Sequence, residues 1–396
     1  MYRRGETERI RAPVLCLTCG AKNADDLVFC GACSSALAAV RTDKLGVPAS
    51  QDGRMKTRRL LIYGGVMAAI LALSLIGTST LVLAFAILPA FVYLTIANWL
   101  DRYEPEPWWM IVGAFLWGAS VAVTISGIVN VLGSQLVSHE LGAAAGDAYG
   151  ASISAPFIEE TTKGAALLAV FLWRRNELNG LLDGIVYASM VGLGFAMTEN
   201  LQYYGEALQE GVGVFGQTFV LRGIVLPFLH PLFTSMTGIG LVLALRARSR
   251  RMRTLAPVLG LGCAILLHSA WNTNPVIFGP LLILPVFVLM LILIRRSIRH
   301  ESTVVREYLP EGAVPKDDLE RLASVRARFA DSAKAFKRGG FRGWAAREEY
   351  VSALSDLAFS RYQAATAAVS PTQSDEDEGF RQLLASLRRE WRNPTT

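Results

Sequence analysis

The run Ser154-Ala-Pro-Phe-Ile-Glu-Glu-Thr-Thr-Lys-Gly-Ala-Ala-Leu-Leu-Ala-Val-Phe-Leu-Trp173 is long and apolar enough to cross a bilayer, yet it carries Glu159, Glu160 and Lys163. A charged group at mid-membrane costs roughly 2.5–3.5 kcal/mol on insertion scales, so each of the three must find a partner. Glu159 and Lys163 are four apart and share a helix face, which suits an ion pair. Glu160 is then expected to point elsewhere and to need a partner of its own. Such a helix is either pinned by one salt bridge or part of a working site.

The other runs define the class. The chain has 396 residues and is 52% hydrophobic, too apolar for an ordinary soluble protein. Runs near the ~20 residues that a helix needs to cross a membrane predict eight spans, at 60–77, 80–100, 108–132, 151–173, 181–204, 224–245, 255–273 and 276–294. Basic residues follow alternate ends: Arg58 and Arg59; Arg174 and Arg175; Arg246, Arg248, Arg250, Arg251 and Arg253; Arg295, Arg296 and Arg299. The opposite connections, including 133–150 and 205–216, have neither Lys nor Arg. The positive-inside rule then predicts a multi-pass cell-membrane protein with both termini cytoplasmic. The net charge of +6 sits in loops and tail and reads as orientation, with no nucleic-acid partner.

At the N-terminus, Cys16-Leu-Thr-Cys19 and Cys30-Gly-Ala-Cys33 form two C-x-x-C knuckles. Four converging thiolates predict a closed, structural zinc site, and so small a unit needs the metal to fold. The expected organisation is a zinc ribbon at 13–37, a linker at 38–57, a membrane domain at 58–300 and a soluble helical tail at 301–396. The fold class is an all-α polytopic membrane protein. The turn Asp101 to Trp109 is expected to be a cytoplasmic connector whose acidic residues either dock another loop or stay solvated. In the tail, Asp317 to Phe336 and Trp344 to Ala367 have the spacing of a helical hairpin.

Four spans carry unusual polar groups: Glu159, Glu160 and Lys163; Glu199 and Asn200; His230; and His268 with Asn272. Counted at 1.5 Å per residue from the expected outer ends, Glu159 lies ~12 Å down, His230 ~9 Å, and Glu199 and His268 ~8 Å, which is one layer. Arg222 is expected at the interface, since burying it is costly. Two histidines plus carboxylates form the usual catalytic zinc set, with a further carboxylate as general base. The expected donors are Glu160, Glu199, His230 and His268, around zinc or another divalent metal. Lys163 is expected to anchor the glutamate pair.

These residues resemble the motifs of the PrsW family of intramembrane proteases. E-E-x-x-K is met by Glu159, Glu160 and Lys163. F-A-x-x-E-N is met by Phe195, Ala196, Glu199 and Asn200, preceded by Asp183-Gly-Ile-Val-Tyr187. His230, Phe233 and Thr234 meet a third motif, and His268 with Asn272 a fourth. The resemblance covers about residues 80–300 and implies a membrane-embedded peptidase that cuts a membrane protein, such as an anti-sigma factor. It also implies kinship with the CAAX prenyl proteases, whose second motif has His where this chain has Glu199. It leaves a metal-free mechanism open, in which Glu159 or Glu160 activates water and His268 with Asn272 forms an oxyanion hole. The ribbon or tail would then contact a cytoplasmic protein partner. Two other classes stay in play: a non-catalytic sensor or scaffold of the same fold, and a Glu/His-lined transporter.

Overall fold

A computed structural model describes residues 14–15, 22–23, 64–72, 75–103, 106–174, 178, 180–247, 249–309 and 316–366. The chain divides into two compact units, Gln51–Ile298 and Arg299–Thr396 with Met1–Ser50. Near the N-terminus, Val14–Leu15 and Lys22–Asn23 pair as a short antiparallel ladder on either side of the first Cys knuckle. Cys16, Cys19, Cys30 and Cys33, and the 38–57 linker, lie outside the described residues.

The first unit is a helical bundle. Among the described residues, six helices are long and apolar enough to span a bilayer: Thr80–Ala97, Trp108–Leu141, Leu181–Glu210, Val212–Arg246, Arg250–Thr273 and Pro275–Tyr308. The expected span at 151–173 is helical at Ala155–Trp173 but too charged to count as a plain apolar span. The expected span at 60–77 is described as helix over 64–72. Two expected outer connections are themselves helical. The third expected span runs on to Leu141 and is followed by Ala143–Tyr149, while the helix expected at 181–204 runs on to Glu210. Lack of Lys and Arg marked these connections as lying on one side, but it says nothing about their backbone, and Ala143-Ala-Ala145 favours helix.

Leu181–Glu210 is the central helix. Buried positions run along it on every side, from Leu182 to Ala207, because other helices surround it. Its first turn is closed by Asp183, whose Oδ2 accepts the Gly180 N–H at 2.7 Å. The acidic turn after Leu100 docks on the same end. Asp101 Oδ2 accepts the Glu106 N–H at 2.8 Å, and the Tyr187 hydroxyl donates to Glu106 Oε2 at 2.6 Å. The acidic turn thus neither docks on another loop nor stays solvated, but is held against the central helix.

Glycines set how close the neighbours come. A Cβ at Gly194 would overlap the Phe115 carbonyl of the third-span helix, and one at Gly192 would stand 2.6 Å from Pro231 N, beside His230. Small residues at such crossings let backbones touch. The helix Ala155–Trp173 is tied to its neighbours by polar bonds. Trp117 Nε1 donates to Thr162 O at 2.9 Å, and Ser154 Oγ donates to Asn130 Oδ1 at 2.8 Å. It is preceded by a wide π-helical turn, Gly150–Ser154, whose carbonyls accept bonds from the Arg250–Thr273 helix.

In the second unit, Val325–Thr366 is two helices joined at Gly339 and Gly340, where Gly340 has φ 57°. Arg347 Nη1 reaches Ser332 Oγ at 2.8 Å across that junction, so the halves fold back on one another as a hairpin.

Gly194→Ala is expected to destabilise the bundle by about 1–3 kcal/mol through overpacking. Gly205→Ala on the same helix, where nothing lies within 4 Å, is expected to be neutral or stabilising. Thermal melts in one detergent distinguish the two.

Candidate active site

Lys163 is the hub. Its ammonium is fully buried and lies 2.8 Å from Glu160 Oε1, 3.2 Å from Glu159 Oε2 and 2.9 Å from His230 Nδ1. It also sits 3.9 Å from the centre of the Phe195 ring. Positions three and four residues apart both face one way on a helix, so Lys163 reaches both glutamates. Glu160 therefore does not point away from Lys163, as the four-residue spacing alone suggested.

Glu160 uses both oxygens. Oε1 also meets His268 Nδ1 at 3.1 Å, and Oε2 accepts the Thr234 hydroxyl at 2.9 Å. A carboxylate oxygen accepts, so His268 donates from Nδ1 and keeps the lone pair of Nε2. The His268 ring is stacked on Phe233, with centroids 5.1 Å apart, and stands edge-on to His230 at 5.4 Å.

His230 is similarly held. It is the second residue of the helix Leu229–Arg246, just after a break at 226–228 that contains Pro227. Lys163 donates to Nδ1, so the ring proton sits on Nε2 and is donated to Glu199 Oε2 at 3.1 Å. Glu199 is in turn paired with Arg222, whose Nε also donates to Asn200 Oδ1 at 2.7 Å and whose guanidinium covers the Tyr203 ring at 3.7 Å. Each histidine thus has a carboxylate behind it, an arrangement that fixes ring orientation in metal sites.

Glu159, His230 and His268 each offer one ligand atom, and these atoms lie within 4.8 Å of one another. The structure thus brings together Glu159, Glu160, Glu199, His230 and His268. It does not bring Asn272, whose amide donates to Ala151 O at 2.9 Å and pins the π-helical turn. Arg222 is half-buried in the last turn of the π-helical stretch Val220–Val225, where Glu199 neutralises it.

A family model described as PrsW family intramembrane metalloprotease matches residues 106–295, a stretch that holds every member of this cluster. Over these residues, a little under half of the chain, the sequence is similar to the PrsW family. Protease PrsW of Geobacillus kaustophilus is 33% identical over 138 residues, which are 35% of this chain and 55% of that relative. Protease PrsW of Oceanobacillus iheyensis is 27% identical over 236 residues, 57% of this chain and 98% of the relative. Protease PrsW of Bacillus subtilis is 29% identical over 122 residues, 31% of this chain and 53% of the relative. The chain thus spans about half the length of the first of these PrsW relatives. No solved structure matches the chain. The long apolar helices and the match to an intramembrane family make this a multi-pass membrane protein.

Sequence reasoning about this site missed Arg222 and Thr234 as partners of the cluster. Arg222 had a signal: it lies eleven residues beyond Gly211, and Glu199 lies twelve before it, so a helical hairpin turning there sets them side by side. Removing one member leaves a buried charge unpaired. Arg222→Met is expected to destabilise by about 3–5 kcal/mol, and Arg222→Met with Glu199→Leu to recover most of it. Melting of purified single and double variants checks this.

Proposed function

We propose that the protein is an intramembrane endopeptidase that hydrolyses a peptide bond in a membrane-protein substrate such as an anti-sigma factor. The observation that carries this reading is the meeting of Glu159, His230 and His268 within 4.8 Å, each histidine backed by a carboxylate. Two imidazoles and a carboxylate are donors that zinc or another divalent metal takes; Glu159 and His268 would hold it, and His230 would join them by giving up its Lys163 contact, since its Nδ1 faces that ammonium and its Nε2 the Glu199 carboxylate. Bound there, the ion would polarise the scissile carbonyl and acidify a water molecule.

The chain's own groups have distinct tasks in this reading. Glu160, expected from the motif to be a ligand, instead orients His268 and is itself held by Thr234 and Lys163. Glu199, also expected to be a ligand, orients His230. Glu159 has one oxygen on Lys163, and its second either binds the metal or, in the metal-free mechanism, takes the proton of the attacking water and returns it to the leaving amine. Phe195 and Phe233 wall the histidines with apolar rings, which strengthens the electrostatics inside. Both termini are placed in the cytoplasm by the basic loops. The four N-terminal cysteines hold a structural zinc in a ribbon that contacts a cytoplasmic partner.

Co-expression with epitope-tagged, single-span anti-sigma factors tests the reaction. Wild type is expected to yield the truncated product, and Glu159→Gln to slow its formation at least ~100-fold. Equal cleavage by the variant, or none by wild type across the panel, refutes the assignment.

Metal content is a separate readout. Protein with Cys16, Cys19, Cys30 and Cys33 all changed to Ser is expected to keep about one equivalent of divalent metal, and further loss of His268 to remove it. A metal-free four-Cys variant that still cleaves leaves Glu159 as an unaided base.

A further inference from the structure

Besides Phe329, the tail hairpin exposes a cluster of aromatic residues at the Gly339–Gly340 turn. Phe336, Phe341 and Trp344 are all exposed there, Phe341 at 77%. The Phe336 and Phe341 rings meet edge-on across the turn, with centroids 5.3 Å apart. The same stretch, 334–344, carries Lys334, Lys337, Arg338 and Arg342 and no acidic residue. All four cations are exposed, and among the described residues none makes a hydrogen bond or ion pair. Farther from the turn charges are paired: Asp331 with Arg321 of the preceding helix Lys316–Ala323, and Arg347 with Glu348. Its apolar packing is completed by buried Ala335, Tyr350, Val351 and Leu354, so the tip aromatics are surplus to the core.

We propose that this turn is a docking tip for an anionic lipid surface. Large rings flanked by cations and free of carboxylates match the headgroup boundary: the rings enter the acyl edge and the cations face lipid phosphates. The chain itself supplies the proximity. The tail unit starts at Arg299, directly after the apolar stretch of the membrane unit, so the chain itself keeps the hairpin tethered to the bilayer. A tethered site needs little intrinsic affinity, because its effective concentration is high. The proposal rests on the membrane placement of the chain and not on its being a peptidase.

The test uses the full-length protein in three settings: nanodiscs of phosphatidylcholine alone, nanodiscs of phosphatidylcholine with phosphatidylglycerol, and detergent micelles. Trypsin cleavage after Lys337, Arg338 and Arg342 and hydrogen exchange of residues 334–346 report cover of the tip. Both are expected to slow about tenfold in the anionic discs only, and the protection to weaken as salt rises. Phe341→Ser with Trp344→Ser, and separately Lys337→Glu with Arg338→Glu and Arg342→Glu, are expected to abolish it, the second variant being read by hydrogen exchange alone because it lacks the three trypsin sites. These side chains are exposed, so the fold survives, which circular dichroism verifies. Equal rates in the two discs overturn the proposal. So does equal protection in detergent, which would mean that another segment, a second copy or a protein partner covers the tip.

Discussion

An ammonium with no access to water organises this protein. Lys163 can stay charged inside an apolar bundle only if anionic and lone-pair oxygen and nitrogen atoms surround it, and the chain supplies Glu159, Glu160 and His230. The two glutamates come with its own helix. His230 comes from Leu229–Arg246, and the Phe195 ring beneath it comes from the central helix. One cation therefore holds three helices in register. The Arg250–Thr273 helix joins through His268, which shares the same Glu160 oxygen. The close glycine crossings at Gly192 and Gly194 make these reaches short enough for hydrogen bonds.

The pattern of charge also explains the departure at the second motif. Where related membrane proteases are implied to carry a histidine, this chain has Glu199. Its charge is balanced by Arg222, and its free bonding capacity goes to His230. The substitution therefore brings an acid–base pair with it, and the base comes from the next helix in the chain. Asn200 and Tyr203, on the same central helix, complete the cradle of the guanidinium.

Much of this was legible from the residues, for a simple reason. Ionisable side chains inside apolar runs are rare enough to mark themselves, and Glu159, Glu160, Glu199, His230 and His268 all do so. Membership of a cluster followed from depth along each helix, which depends only on counting. Partner choice did not follow, because it depends on rotation and on crossings between helices. Asn272 lies one turn from His268, yet it spends its amide on the backbone of a π-helical turn that has no clear sequence mark. Glu160 was assigned a lone direction because the four-residue spacing was weighed and the three-residue spacing was not. The helical stretches through 133–149 and 205–210 were read as loops because charge sidedness was the guide, and sidedness is blind to backbone form.

The turn at Gly211 has a consequence for how this chain can change. Its φ of 131° lets the central helix stop and the next begin at once. Hairpin ends are commonly where length varies freely. Here the strands of the hairpin act as a ruler with Glu199 on one arm and Arg222 on the other. Adding or deleting one residue at the tip would rotate everything beyond it by about 100° about the helix axis and swing Arg222 away from its carboxylate. The length of an outwardly simple turn is thus bound to charge neutrality at the centre of the bundle.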